Sequence, residues 1–168
     1  VTVPTVSANN ETKNGIVSGT ETWSGTHTMT GNVTVAEGAT LIINAGTTIN
    51  VPAGSYLNVR GALCAGDAAC GATQGSQSSP VRFLWGTPSD WTKTNWCHIP
   101  NAQVPRNNPD AACGGGVVIR DTIDEALTSL NFVHFEKAYG FPIYSANAQT
   151  YRYGALVFDG SSINANGL

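Results

Sequence analysis

The sequence predicts an all-β chain that stacks short strands as a solenoid. Three observations carry that expectation. Apolar residues between Asn32 and Leu63 recur in pairs every eight residues, and a glycine closes most of these units. Charged residues make up only 11% of the 168 residues, against about 25% in ordinary globular domains. A surface so poor in charge is wetted by Ser, Thr, Asn and Gly, as in hydroxyl-rich stacked sheets.

The units read Val33 to Thr40, Leu41 to Thr48, Ile49 to Tyr56 and Leu57 to Leu63. Val33/Val35, Leu41/Ile43, Ile49/Val51 and Leu57/Val59 alternate with polar neighbours, the period of a half-buried strand. Gly38, Gly46 and Gly54 supply turn angles that other residues resist, and Gly61 comes one residue early. Spacing near 3.6, the mark of a helix, is absent. Each unit is too small to bury its own apolar face, so stacking must do so. Consecutive hairpins of a β-sandwich or jelly-roll, pilin-like subunit are the alternative. The turns Ala-Glu-Gly, Asn-Ala-Gly and Pro-Ala-Gly are not the Asn-Gly or Asp-Gly of tight hairpins, which favours the solenoid. The outward positions Thr34, Ile42, Asn50 and Asn58 form no threonine array.

After Cys64 the repeat breaks. Strands are expected at Val81 to Phe83, Val117 to Ile119, Leu130 to Phe135 and Leu156 to Phe158, with a last strand ending near Ile163. Residues 122–127 are expected to form one helical turn capped by Asp121. Residues 1–19 read as an N-terminal arm and 20–168 as the solenoid domain, with a loop excursion at about 85–116. Loops of that length are uncommon in compact domains.

Four cysteines, Cys64, Cys70, Cys97 and Cys113, are even in number and contain no CxxC. Zinc ligands usually come in closely spaced pairs, so two local disulfides, Cys64–Cys70 and Cys97–Cys113, are the favoured pairing of three. Disulfides imply an oxidising compartment. The chain opens at Val1 without an apolar leader and reads as a mature chain after export. No apolar run approaches the ~20 residues of a membrane span. Eight scattered basic residues and a net charge of -3 argue against nucleic acid, which needs clustered Lys and Arg.

The run Asn32 to Leu63, the step Val59-Arg-Gly-Ala-Leu63, the return strand Pro80-Val-Arg-Phe83, a later Trp91 or Trp96 and the strand Leu130-Asn-Phe-Val-His-Phe135 together resemble a broad group of secreted right-handed parallel β-helix proteins. The resemblance implies that fold for this chain. It says little about function, because the group includes surface proteins, adhesins and carbohydrate-active enzymes.

No side-chain set points to catalysis, a metal or a cofactor. A polysaccharide-degrading lyase or hydrolase, the weakest alternative, would need paired carboxylates or a calcium cluster. Asp121, Asp124 and Glu125 beside Arg120 form the only acidic cluster, and they read as surface charges with one cap; Glu136 and Asp159 are isolated. Trp85, Trp91 and Trp96 are either a glycan platform or a lid over the sheet. Asn10 and Asn32 are N-glycosylation acceptors by sequence. The strand-like arm Val1-Thr-Val-Pro-Thr-Val6 could add to a neighbour's sheet through Val1, Val3 and Val6. With no amphipathic capping helix in sight, the expected function is a structural subunit of an extracellular filament, pilus-like fibre or surface coat. Its partner would be itself, head to tail. A carbohydrate-binding or adhesive module of a larger surface protein, with glycans as partners, is the runner-up.

Overall fold

The computed structural model describes residues 6–9, 11–86, 115–138, 141–145, 150–159 and 164–166. They form an all-β body with no α-helix among them, only a short 3-10 turn at Ala68–Cys70. No helix among the described residues is long and apolar enough to cross a membrane.

Three parallel ladders run side by side. The first is β1 (Val6–Asn9), β3 (Thr20–Ser24), β5 (Thr40–Ile43), β8 (Ala62–Ala65), β11 (Ser129–Asn131) and β16 (Asn164–Asn166), in that order. The long strand β4 (Thr26–Val35) turns a corner and belongs to the other two. Its start pairs with β6 (Thr48–Val51), then β9 (Val81–Trp85) and β12 (Val133–Glu136). Its end pairs with β7 (Leu57–Val59), then β10 (Val117–Arg120) and β15 (Leu156–Asp159). β2 (Thr12–Val17) lies against β4 across both ladders, with a register shift between Lys13 and Gly15. The chain thus visits the first, second and third ladders in turn and begins again, and the parallel sheet nearly closes on itself. The described ladders are parallel, unlike the antiparallel hairpins expected of the sandwich alternative. One antiparallel hairpin, β13 (Phe141–Ser145) with β14 (Thr150–Gly154), interrupts the sequence of visits.

The eight-residue unit is one side of a circuit. Val33 pairs with Leu57 and Val35 with Val59, three units further on. Strand alternation sends every second side chain inward, and the circuit length places like on like. The column Val17, Val35, Val59 and Ile119 is fully buried, as are Leu41 on Leu63 and Ile49 on Phe83. Phe83 stacks on Phe135 with centroids 5.6 Å apart and on Trp85 at 6.0 Å. Burying each such large side chain stabilises the fold by roughly 1.5–3 kcal/mol.

Gly38, Gly46 and Gly54 have φ of 76°, 75° and 80°, the left-handed angles expected of the three turns. Gly61 plays another part. A methyl group there would overlap the carbonyl oxygens of Ala36 and Ala39. The amides of Arg60 and Gly61 both donate to Val35 O, at 3.0 and 3.2 Å. Its early arrival in the fourth unit marks a corner where one circuit rests directly on the one before.

Several expectations need correction. Residues 121–127 form turns without a helix, and Asp124, not Asp121, accepts from the amides of Ala126 and Leu127, at 3.1 and 3.2 Å. A single helical turn without neighbours does not repay its nucleation, and an Asp side chain offers the backbone another partner. Leu130 to Phe135 is two strands, broken at Phe132, whose φ of 50° makes a ladder corner. The last described strand is Asn164–Asn166, beyond Ile163. Within the described part of residues 1–19, β1 and β2 are full ladder members rather than an arm. The Cys64–Cys70 disulfide is formed; Cys97 and Cys113 lie outside the described residues.

Two substitutions separate the roles of the glycines. Gly61→Ala is expected to cost about 2–3 kcal/mol through overpacking. Gly54→Ala, with open space around it, should cost only the left-handed backbone term of about 1–2 kcal/mol. Urea denaturation midpoints of the two variants measure the difference. The Cys64→Ser, Cys70→Ser double variant should lose about 2 kcal/mol, the loop-closure value for so short a bridge, in the same assay.

Candidate functional site

The two ends of the stack differ from its middle. At the N-terminal end the inward column of Leu63 and Leu41 continues not in another apolar residue but in Glu21. Lys13, paired with the buried Met29, reaches Glu21 Oε2 at 2.7 Å. The indole N–H of Trp23 donates to Glu21 Oε1 at 2.8 Å. Trp23 is fully buried and stacks on His27 with centroids 4.9 Å apart, and His27 Nε2 lies 3.1 Å from Ser24 O. The interior therefore turns from aliphatic to ionic and aromatic within one circuit. The pair keeps its charged atoms near water, with Lys13 26% and Glu21 15% exposed, and β1 lies one strand further out on β3.

At the other end, β12, β15 and β16 close their ladders among the described residues. Phe158 continues the column of Ile119, yet it is 41% exposed. An inward column that ends on an uncovered phenyl ring is a surface that another apolar group can cover. At the N-terminal end Ile16 is 66% exposed. No described strand pairs with the outer side of β1, β2, β12, β15 or β16.

The flanks carry polar networks. On the first ladder, Asn44 Nδ2 donates to Ser24 Oγ and Thr73 N to Asn44 Oδ1, each at 2.8 Å. Asp67 caps the 3-10 turn by accepting from Ala69 N at 2.9 Å and also accepts from Ser129 Oγ in the next circuit. On the second ladder, Arg82 forms a two-pronged pair with Glu136, at 2.6 and 2.9 Å. An open groove of about 340 Å³ beside it is lined by Thr28, Asn50, Pro52, Leu84 and Lys137, with Trp85 and Met29 at its floor.

The sequence-derived candidates distribute unevenly over this frame. Trp85 is buried, 1% exposed, and its indole donates to Ser55 O at 3.0 Å. It occupies the inward phase of β9, so burial of the ring won over display. Trp91, Trp96, Asn10, Val1 and Val3 lie outside the described residues. Val6 starts β1 and pairs with Glu21. Asn32 is exposed, and its Oδ1 accepts from Tyr56 N at 3.2 Å. Arg120 donates to Asn58 Oδ1 at 2.9 Å. Asp121, Asp124 and Glu125 do not converge: among the described residues no three His, Cys, Asp or Glu side chains come together to hold a metal ion. The Lys13–Glu21–Trp23 plug was missed, although Glu21 and Trp23 share the phase of a strand and so a common inward face.

Two carboxylates tie acid stability to this frame. Hydrogen bonds from Ser129 and Ala69 hold Asp67 below the usual aspartate range. The bond from Arg82 likewise lowers Glu136. A carboxyl whose folded pKa is depressed stabilises the fold above its unfolded pKa and loses that contribution as pH falls through the folded value. Thermal stability should therefore hold level from neutrality and decline below about pH 4. Asp67→Asn should lower stability at pH 7 and flatten the acid decline, as followed by circular dichroism; a variant melting curve parallel to the parent's at every pH would contradict this. No protein-family model, curated protein or solved structure matches the chain.

Proposed function

We propose that the chain is a right-handed parallel β-helix that serves as a structural subunit of an extracellular filament, pilus-like fibre or surface coat and assembles head to tail. The observation that carries this reading is the pair of complementary ends. Among the described residues no strand pairs with the outer side of the last strand of any ladder at either end of the stack, and all three ladders keep one chain direction throughout. Unpaired main-chain donors and acceptors favour further pairing. Equal polarity makes the joint heterologous, and a heterologous contact that does not close grows a filament. The right hand follows from the strong preference of parallel crossovers. The Cys64–Cys70 disulfide and the sparse charge accord with an oxidising, extracellular setting.

A second reading, a carbohydrate-binding or adhesive module, draws on the groove beside Leu84. There Asn50, Thr28 and Lys137 place polar groups around an apolar floor, the mix that small-molecule sites use. Neither reading assigns the chain a catalytic step.

Sedimentation and electron microscopy over a concentration series distinguish the two. The filament reading expects long particles of this one chain above a critical concentration. It further expects Phe158→Asp to raise that concentration at least tenfold with little change in melting temperature, because Phe158 is already half open to water. A chain that stays monomeric at millimolar concentration, and that binds a glycan array in a manner lost on Asn50→Ala, would replace it with the second reading.

A further inference from the structure

We propose that the groove beside Leu84 binds a sugar that carries one carboxylate, with Lys137 taking the acidic group and Asn50 and Thr28 taking ring hydroxyls. This rests on the carbohydrate-binding reading of that groove and not on how copies join. The site is built from the outward phase of the second ladder. Thr28 pairs with Asn50, Asn50 with Leu84 and Leu84 with Glu136. These four residues form one outward column, with about 4.8 Å between neighbours. The polar rungs Thr28 and Asn50 are followed by the apolar rung Leu84, and Pro52 flanks them just after β6. A sugar ring has the same division, with hydroxyls at its rim and C–H groups on its face. Leu84 and Pro52 can take the face while Asn50 and Thr28 exchange hydrogen bonds with the rim. The space of about 340 Å³ lies at the small end of ligand sites. It suits a short unit rather than a long stretch of polymer.

Charge selects the acidic sugar. Arg82, His134, Glu136 and Lys137 stand at the Leu84 end. Arg82 and His134 pair in register in the neighbouring outward column. Arg82 grips Glu136 with both prongs, at 2.6 and 2.9 Å, so the carboxylate that would repel an anion is already neutralised. Lys137 is exposed and forms no salt bridge among the described residues. It is the surplus cation of this wall. Its placement departs from the pattern of the ladder. Lys137 follows Glu136 as Trp85 follows Leu84 and Val51 follows Asn50, and Trp85 and Val51 are buried. A lysine in that phase would carry its ammonium into the core. Its backbone is instead left-handed, with φ of 56°, and the side chain lines the groove. A residue other than glycine in that region is uncommon, and such positions gather at ligand sites. At the far end Glu11 O accepts from Thr28 N at 2.9 Å. The residue neighbouring that end is thus acidic, and the carboxylate of a ligand belongs beside Lys137.

Matched sugars test this on the full chain. The probes are the methyl glycosides of glucuronate, galacturonate and mannuronate, each beside the neutral hexoside that carries CH2OH in place of the carboxylate. Titrations are followed by NMR of the Leu84 methyl groups. At least one acid should bind about fivefold tighter than its neutral counterpart at low salt, the upper range for one exposed ion pair. The preference should vanish in about 1 M NaCl, where such a pair is screened. Lys137→Asn keeps a residue that tolerates left-handed backbone and should equalise acid and neutral sugar, whereas Asn50→Ala should weaken both. Equal binding of acid and neutral forms by the parent would overturn the carboxylate and leave the carbohydrate reading standing. A preference that survives Lys137→Asn would overturn the role of Lys137. Should that variant fail to fold, the parent's salt titration decides the same point, and a preference unchanged by salt would overturn it. No change at Leu84 with any of these sugars would overturn the site and the carbohydrate reading of the groove together.

Discussion

Everything in this fold depends on one spatial constraint: each residue must come to rest beside its counterpart one circuit later. Parallel strands demand it, because hydrogen bonds between them fix a constant spacing of about 4.8 Å. The side chains must then form unbroken columns. The step from Val33 to Leu57 satisfies it with three turns of equal length. Gly61 sets the contact between circuits by allowing backbone to lie on backbone. Where the constraint is met, the core is aliphatic; toward the outer circuits the inward columns meet other chemistry, the Lys13–Glu21 pair on one side and the part-exposed Phe158 on the other.

The middle of the fold was readable because periodicity is a local property. Alternation at Leu41/Ile43 and Ile49/Val51, and the turn glycines between them, say where strands begin and stop without reference to any partner. What the sequence could not yield was which strand lies on which. That depends on a separation of three units, and it becomes visible only as pairing between Val35 and Val59. The strands β3 and β4 were hidden by their threonines, which look like surface when read singly. Their alternate residues Glu21, Trp23, His27 and Met29 point inward and include two polar groups that no hydrophobic pattern would collect. The hairpin of β13 and β14 lies in a stretch whose tyrosines and alanines keep no phase with the ladders.

The candidate surfaces were legible to a lesser degree. The chemistry of the outermost described strands was not legible. Trp85 shows why: three tryptophans near one loop suggest display, yet a residue's phase within its strand decides its fate more strongly than its neighbours in sequence do. In Val81–Trp85 the odd positions face the core, and Trp85 is the third of them. In the acidic cluster, read as surface charges with one cap, the capping residue is Asp124, which accepts from the turn's own amides.

The long interruptions all fall in the later circuits, after β8, whereas the first three circuits run with none. This asymmetry bears on the order in which the molecule can fold. Val33 finds Leu57 across 24 residues, but Leu57 must wait for Val117, 60 residues on. Loop closure grows costlier with length, and in a stacked array each layer steadies the next. The early circuits are thus a template that closes first, and the later strands condense upon it one layer at a time, as a crystal face accepts its next row.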